Sequence, residues 1–277
     1  MFWSSRKTSE VSFRYDNVFV HPSAEVAADV ELGQFSYVGP NCRIGDGSRL
    51  HNNVTIVANT IIGAHNEVFS GAVIGAEPQD KKYFGEDSWV IIGDENRIRE
   101  NVTIHGGTQM GDGITRIGNH NLIMASCHIA HDCIIEDRVT IANNVLLGGH
   151  VKVEHHASFG GLAAVHHFVS VGQHAFVGGL SRVTQDVPPF MLVEGNPIRV
   201  RSLNRVGLKR EGFSDQDLKI LKEAQRLLFR TPVARGKAFS QLENLYPNVE
   251  VVQHLVKFLC NTEQGQQGRA RQLDRRS

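Results

Sequence analysis

The chain has 277 residues, 41% of them hydrophobic, which is enough for one large domain and a small one. It is neutral overall but split: residues 198–277 carry 16 basic against 8 acidic side chains, a net +8, and residues 1–197 carry 13 against 21, a net −8. No apolar run reaches membrane-spanning length, residues 1–17 lack the apolar stretch of a signal peptide, and Cys42, Cys127, Cys133 and Cys260 form no Cys-x-x-Cys pair, so a reducing, cytoplasmic setting is expected.

Residues 1–17 read as an N-terminal extension. From Val20 an apolar residue recurs every six positions to Ile74. The pulse resumes at Ile92, Ile98, Ile104 and Met110, shifts phase, and runs from Ile117 to Val183. Neither a helix nor an alternating strand has this period. A hexapeptide repeat does, and it predicts a mainly β chain wound as a parallel β-helix over residues 18–190, with three hexads per coil. Each buried plug of this size contributes roughly 1.5–3 kcal/mol. Glycines that follow plugs, as at Gly33, Gly39, Gly45, Gly63, Gly93 and Gly172, are expected to take the left-handed backbone of the corners.

Two segments leave the pulse. One runs from Gly75 to Val90 and carries Asp80, Lys81, Lys82 and Tyr83; the other spans residues 105–116. Long loops on a rigid scaffold are common homes for function. Pro188 and Pro189 are expected to stop the solenoid, and Gly195-Asn196-Pro197 reads as a turn. A C-terminal α-helical domain is then expected over residues 191–262. Ser214 is placed to N-cap a helix with Leu218, Leu221, Ala224 and Leu228 on one face. Phe239, Leu242 and Leu245 mark a second helix, and Val251, Leu255 and Phe258 a third. Residues 263–277, rich in Gln and Arg, read as a disordered tail. The basic C-terminal part calls for an anionic partner, whether nucleic acid, an acidic protein or a phosphorylated small molecule.

Of the 14 histidines, all but His254 lie between His21 and His174. His131, Gly149 and His167 are spaced one coil apart, so they stack on one edge of the prism. Asp132 and His150 form a second column beside them. Solvated turn histidines need not fall in one column, so this strip is the candidate site.

The stretch Asn121-Leu-Ile-Met-Ala-Ser-Cys-His-Ile-Ala-His-Asp-Cys133 resembles the active-site segment of the UDP-N-acetylglucosamine O-acyltransferases of lipid A biosynthesis. The likeness extends through Gln79-Asp-Lys-Lys-Tyr83, Arg97-Ile-Arg-Glu-Asn-Val-Thr-Ile-His105, Ala142-Asn-Asn-Val-Leu-Leu-Gly-Gly-His150, Gln185-Asp-Val-Pro-Pro189 and Gly207-Leu-Lys-Arg-Glu-Gly-Phe213. It implies a homotrimer of left-handed β-helices that passes an R-3-hydroxyacyl group from acyl carrier protein to the 3-hydroxyl of UDP-N-acetylglucosamine. It implies no cofactor beyond that thioester donor, no nucleic-acid partner and no membrane insertion. His131 matches the general base, Asp132 follows it and is placed to orient the ring, and Gly149 matches the oxyanion-stabilising position. Asp80, Lys82, His128 and His150 match residues that hold the sugar nucleotide, with His105 and His167 beside them. Asn204 and Arg210 match positions at its nucleotide end. Gly179 matches the position that limits acyl-chain length. The chain departs from the family pattern at Gly106, His167, Pro197 and Glu211.

Four other readings stand beside this one, the last a non-enzymatic structural solenoid, which would show repetitive flat faces and not a histidine column with loops. The N-acyltransferase of the same pathway carries an added N-terminal uridine-binding domain, for which hexads beginning at Val20 leave no room. Acetyl-CoA-dependent hexapeptide transferases rarely share the loop around Asp80 or the Gly207 segment. A γ-type carbonic anhydrase would hold zinc on histidines such as His128, His131 and His150, but its pair of histidines five apart is absent.

Overall fold

The computed structural model describes residues 17–272. Most hexads become a two-residue strand and a turn, as at His128–Ile129, Ile134–Ile135 and Thr140–Ile141. Consecutive strands do not pair. Each pairs in parallel with the strand one full coil on, so His128 lies beside Leu146 and Ile129 beside Leu147. Three sheets of nine, eight and ten strands result, and they wrap a narrow core as a left-handed parallel β-helix. In chain order they are the first, second and third faces. Plugs of one face stack along the axis: Val38, Ile56, Ile74, Ile104, Ile129 and Leu147 are all fully buried. Val20, on the end coil, stays exposed. Met110 is not a plug: it is 41% exposed, because the chain has left the coil there.

The corners correct the expectation about glycine. From His120 to Leu180 every sixth residue is left-handed, and those residues are His, Ser, Asp, Arg, Asn, Leu and Phe. Gly33, Gly39, Gly45, Gly63, Gly93 and Gly172 are not left-handed, although Gly75, where the chain leaves the coil, is (φ 81°). They are small because successive coils approach closely: a Cβ on Gly45 would lie 2.7 Å from the Gly63 backbone.

The loop after Val73–Ala76 is absorbed by a jump in register, which pairs Ile74 with Ile104. It rejoins the coil at Trp89–Ile92. The prolines do not end the solenoid. Val187 still bridges Val171, and the chain re-enters the third face as Met191–Gly195, parallel to Phe176–Val177. Ile198–Leu203 then folds back antiparallel. Residues 191–203 therefore belong to the sheet, not to a helical domain, because proline removes a donor but leaves the next strand free to pair.

The helices are α1 (Arg205–Arg210), α2 (Asp215–Phe229), α3 (Arg235–Leu245) and α4 (Glu250–Glu263). Ser214 does cap α2, in a reciprocal capping box with Asp217. Leu218, Leu221, Ala224, Leu228, Phe239, Leu242, Leu255 and Phe258 share one core with Phe190 and Met191, whereas Leu245 is 60% exposed. The tail differs from expectation as well. Residues 268–272 form a short 3-10 turn laid on the solenoid. Thr262 Oγ1 donates to Asp186 Oδ2 (3.2 Å), Gln267 Nε2 to the Phe258 carbonyl (2.9 Å) and Arg269 Nη1 to the Thr184 carbonyl (3.3 Å). The contacts of Thr262 and Arg269 to a distant coil leave no periodic trace in composition. The remainder of both terminal segments, 1–16 and 273–277, lies outside the described residues.

Candidate active site

A cleft of about 360 Å³ opens at the corner between the first and second faces. Gln79, Asp80 and Lys82 enter it from the first loop and Met110 from the second, while His131, Gly148, Gly149, His150, His167 and Phe168 come from successive coils. At its floor His131 Nδ1 lies 2.7 Å from Asp132 Oδ2. The carboxylate is pinned from below, accepting from the Thr108 backbone N–H (2.9 Å) and the Thr108 hydroxyl (2.6 Å). The Asp132 backbone N–H donates to Thr115 Oγ1 at 2.8 Å. Burial alone would raise the Asp132 pKa, but the hydrogen bonds from His131 and Thr108 outweigh it and hold the group below the usual carboxylate range. A carboxylate only accepts, so Nδ1 carries the shared proton, and in the neutral ring the lone pair is then on Nε2. That Nε2 lies on the cleft side, 4.0 Å from Asp80 Oδ2.

Gly149 stands directly over this ring. A Cβ there would come within 2.5 Å of His131 Cε1 and 2.6 Å of Nε2, so any side chain displaces the imidazole. Among hydrogen bonds between described residues, the Gly149 N–H donates none, although its carbonyl accepts from Phe168 N–H. An imidazole held by a carboxylate thus sits beside a backbone N–H that has no partner among the described residues.

His150 and Phe168 complete the wall. Their rings stack at 4.3 Å, and His150 meets His131 edge to face at 5.2 Å. His150 Nε2 is 3.5 Å from Asp132 Oδ2. His105 and His128 lie behind the cleft on the first face, edge to face at 5.0 Å. Burial, then the neighbouring His105 and His131, push the His128 pKa down to about 4. Burial lowers His105 too, and its Nδ1 has no hydrogen-bond partner among the described residues.

Asn204 and Arg210 are not in this cleft. With His156, His174 and Glu211 they line a second one of about 690 Å³, at the corner between the second and third faces. Asn204 caps α1, accepting from Gly207 N–H (3.2 Å) and donating to the His174 carbonyl (2.9 Å). Glu211, at a position where the family pattern is basic, pairs with His156 Nδ1 at 2.9 Å. Gly179 lines neither cleft. It lies at the third corner near exposed Leu162 and Leu180, and the left-handed turn residue there is Leu180.

Sequence reasoning missed Thr108, Thr115, Gln79, Met110 and Phe168. Phe168 was findable, since it continues the Asp132–His150 column by one coil. Thr108 lies in an aperiodic loop and left no signal. His131, Asp132 and His150 offer ligand-type atoms within 4.8 Å of one another, but Asp132 already satisfies His131 and Thr108. His128 is not part of that close group, and its Nδ1 is 2.8 Å from Thr103 Oγ1.

Comparison with known proteins bears on this geometry. Residues 186–267 match the family model described as UDP N-acetylglucosamine O-acyltransferase, domain 2. Residues 114–149 match the bacterial transferase hexapeptide repeat, and residues 14–111 the GMPPB C-terminal domain. An acyl-[acyl-carrier-protein]–UDP-N-acetylglucosamine O-acyltransferase from Syntrophobacter fumaroxidans is 46% identical over 252 residues, covering 91% of this chain and 98% of its own. One from Synechocystis is 46% identical over 217 residues, 78% of each chain. Among solved structures, the UDP-N-acetylglucosamine O-acyltransferase of Moraxella catarrhalis superposes with a TM-score of 0.87 at 41% identity, covering 89% of this chain and 96% of that one. The acyltransferase of Bacteroides fragilis gives 0.89 at 34% identity, covering 92% and 99%.

Proposed function

This chain belongs to the UDP-N-acetylglucosamine O-acyltransferases, and from that premise we propose how its two clefts carry out the reaction. The protein is an acyltransferase that moves an acyl group from acyl carrier protein onto UDP-N-acetylglucosamine, the first step of lipid A biosynthesis. In our reading the donor is an R-3-hydroxyacyl thioester and the acceptor is the 3-hydroxyl of the sugar. His131 Nε2 takes the hydroxyl proton while Nδ1–H stays on Asp132, which steadies the imidazolium. The sugar oxygen attacks the thioester carbonyl carbon. The oxyanion that forms accepts the Gly149 N–H. Collapse breaks the carbon–sulfur bond, and the carrier thiolate takes the proton back from His131. The thioester supplies the activated acyl group, so this scheme needs no cofactor. Asp80, Lys82, His150 and His167 line the acceptor's path, with neutral His105 and His128 behind. The observation that carries the reading is the His131–Asp132 pair with Gly149 packed directly against the His131 ring.

Asn204 and Arg210 are read as holding the nucleotide end. In one chain they occupy a different corner from His131, and a neighbouring copy would bring the two clefts together, which is the reason to read a homotrimer. Among the described residues no helix is long and apolar enough to cross a membrane, and we place the enzyme in the cytoplasm. Gly179 with exposed Leu162 and Leu180 is read as the end of the acyl groove, favouring long donors. The test is purified protein with UDP-N-acetylglucosamine and hydroxyacyl carrier proteins of graded chain length, followed by mass spectrometry. An ester product, fastest with long donors, is expected. No ester with any carrier donor overturns the reading, and fastest turnover with the shortest donor removes Gly179 from it.

A further inference from the structure

Arg271 is remote in sequence from the catalytic corner and yet reaches it. Its Nη2 donates to the carbonyl oxygens of His150 and Phe168, both at 3.0 Å. Its guanidinium carbon lies 5.7 Å from the Phe168 ring centre. His150 and Phe168 hold equivalent corner positions on successive coils, both left-handed, at φ 61° and 66°. From there the contacts continue without a break: Phe168 stacks on His150, His150 meets His131 edge to face, and His150 Nε2 approaches the Asp132 carboxylate.

We infer that Arg271 is a positioning residue for the acyl transfer, holding the His150–Phe168 stack against the His131–Asp132 pair. The inference rests on His131 being the base. Arginine suits the place because one planar group bridges two carbonyls while presenting a face to the ring. A flexible ammonium gives the charge and the donors but no flat face. The turn that bears Arg271 is anchored separately, through Thr262 on Asp186, Gln267 on the Phe258 carbonyl and Arg269 on the Thr184 carbonyl. Attachment of the tail therefore does not rest on Arg271 Nη2, whose two carbonyl contacts are to the catalytic corner, while its Nε donates within the turn to the Gly268 carbonyl at 3.3 Å.

Steady-state kinetics of the full chain test this, with Arg271→Ala, Arg271→Lys and Arg269→Ala compared well below their melting temperatures. Arg271→Ala is expected to lower kcat about 10- to 100-fold, the scale set by misplacing a catalytic group by about 1 Å, with KM for the carrier donor unchanged. Arg271→Lys should recover part of that loss, and Arg269→Ala should keep wild-type kcat. Wild-type kcat in Arg271→Ala overturns the inference. So does an equal fall in kcat for Arg271→Ala and Arg269→Ala that tracks their melting temperatures, since the turn is then only a clamp. If Arg271→Ala does not fold, Arg271→Lys carries the comparison, and full kcat there overturns it. His131→Ala is assayed alongside: turnover surviving in that variant defeats the base assignment, whatever the Arg271 variants do.

Discussion

The two clefts are built from the same corner geometry and differ in what their side chains are left able to do. In the first, Thr108 fixes Asp132, Asp132 fixes the His131 Nδ1 proton, and the lone pair on Nε2 together with the Gly149 N–H remains available. In the second, the polar groups answer one another. Asn204 caps a helix, Glu211 holds His156, and His156 stacks on His174 at 4.6 Å. A reacting proton needs an unspent acceptor, so the first cleft is suited to chemistry and the second to holding a ligand in place.

The sharpest way to break this contrast is to remove the base. His131→Ala should lower kcat roughly 10²- to 10⁴-fold, the usual contribution of a general base, while the fold persists because the side chain lies outside the core. Near-wild-type turnover in folded His131→Ala protein would falsify the assignment. Next in size is Gly149→Ala, whose Cβ falls on the His131 ring. It should cost about 10²-fold in kcat with little change in melting temperature, and unaltered kcat would show that the ring has room to move.

The second cleft should respond in the other kinetic constant. Arg210→Ala is expected to raise KM for UDP-N-acetylglucosamine about tenfold, equivalent to about 1.4 kcal/mol of uniform binding, with kcat nearly constant. A fall in kcat without a change in KM would place Arg210 in the chemistry instead. The smallest effect is one the clefts share. His128 beside the first and His174 in the second are both driven by burial to a pKa of about 4. Both are neutral when folded, but the unfolded chain binds protons below roughly pH 6.5. Their share of stability is whole above that pH and is lost as pH falls toward 4. The melting temperature should therefore drop between pH 7 and pH 5, and less so in His174→Gln. An identical drop in both proteins would mean that other groups govern the acid limb.

Much of this was fixed by local repetition. A plug every six residues constrains each turn of chain in the same way, so coil number, the Asp132–His150–Phe168 column and the neighbourhood of His131 and Gly149 follow from counting. The N-cap at Ser214 was equally local, since a capping box spans only one helical turn. Period said nothing about the segments that abandon it. The loops carrying Asp80 and Thr108, the hairpin of residues 191–203 and the turn bearing Arg271 take their places from contacts with coils distant in sequence. Repetition also misassigned the glycines, because closeness between coils is a property of the stacked structure and not of any single hexad. The sequence by itself determined the prism and the corner where His131 stands. Tertiary structure decided what pins Asp132, which cleft receives Asn204 and Arg210, and what braces His150, because each depends on side chains meeting across separations that no repeat encodes.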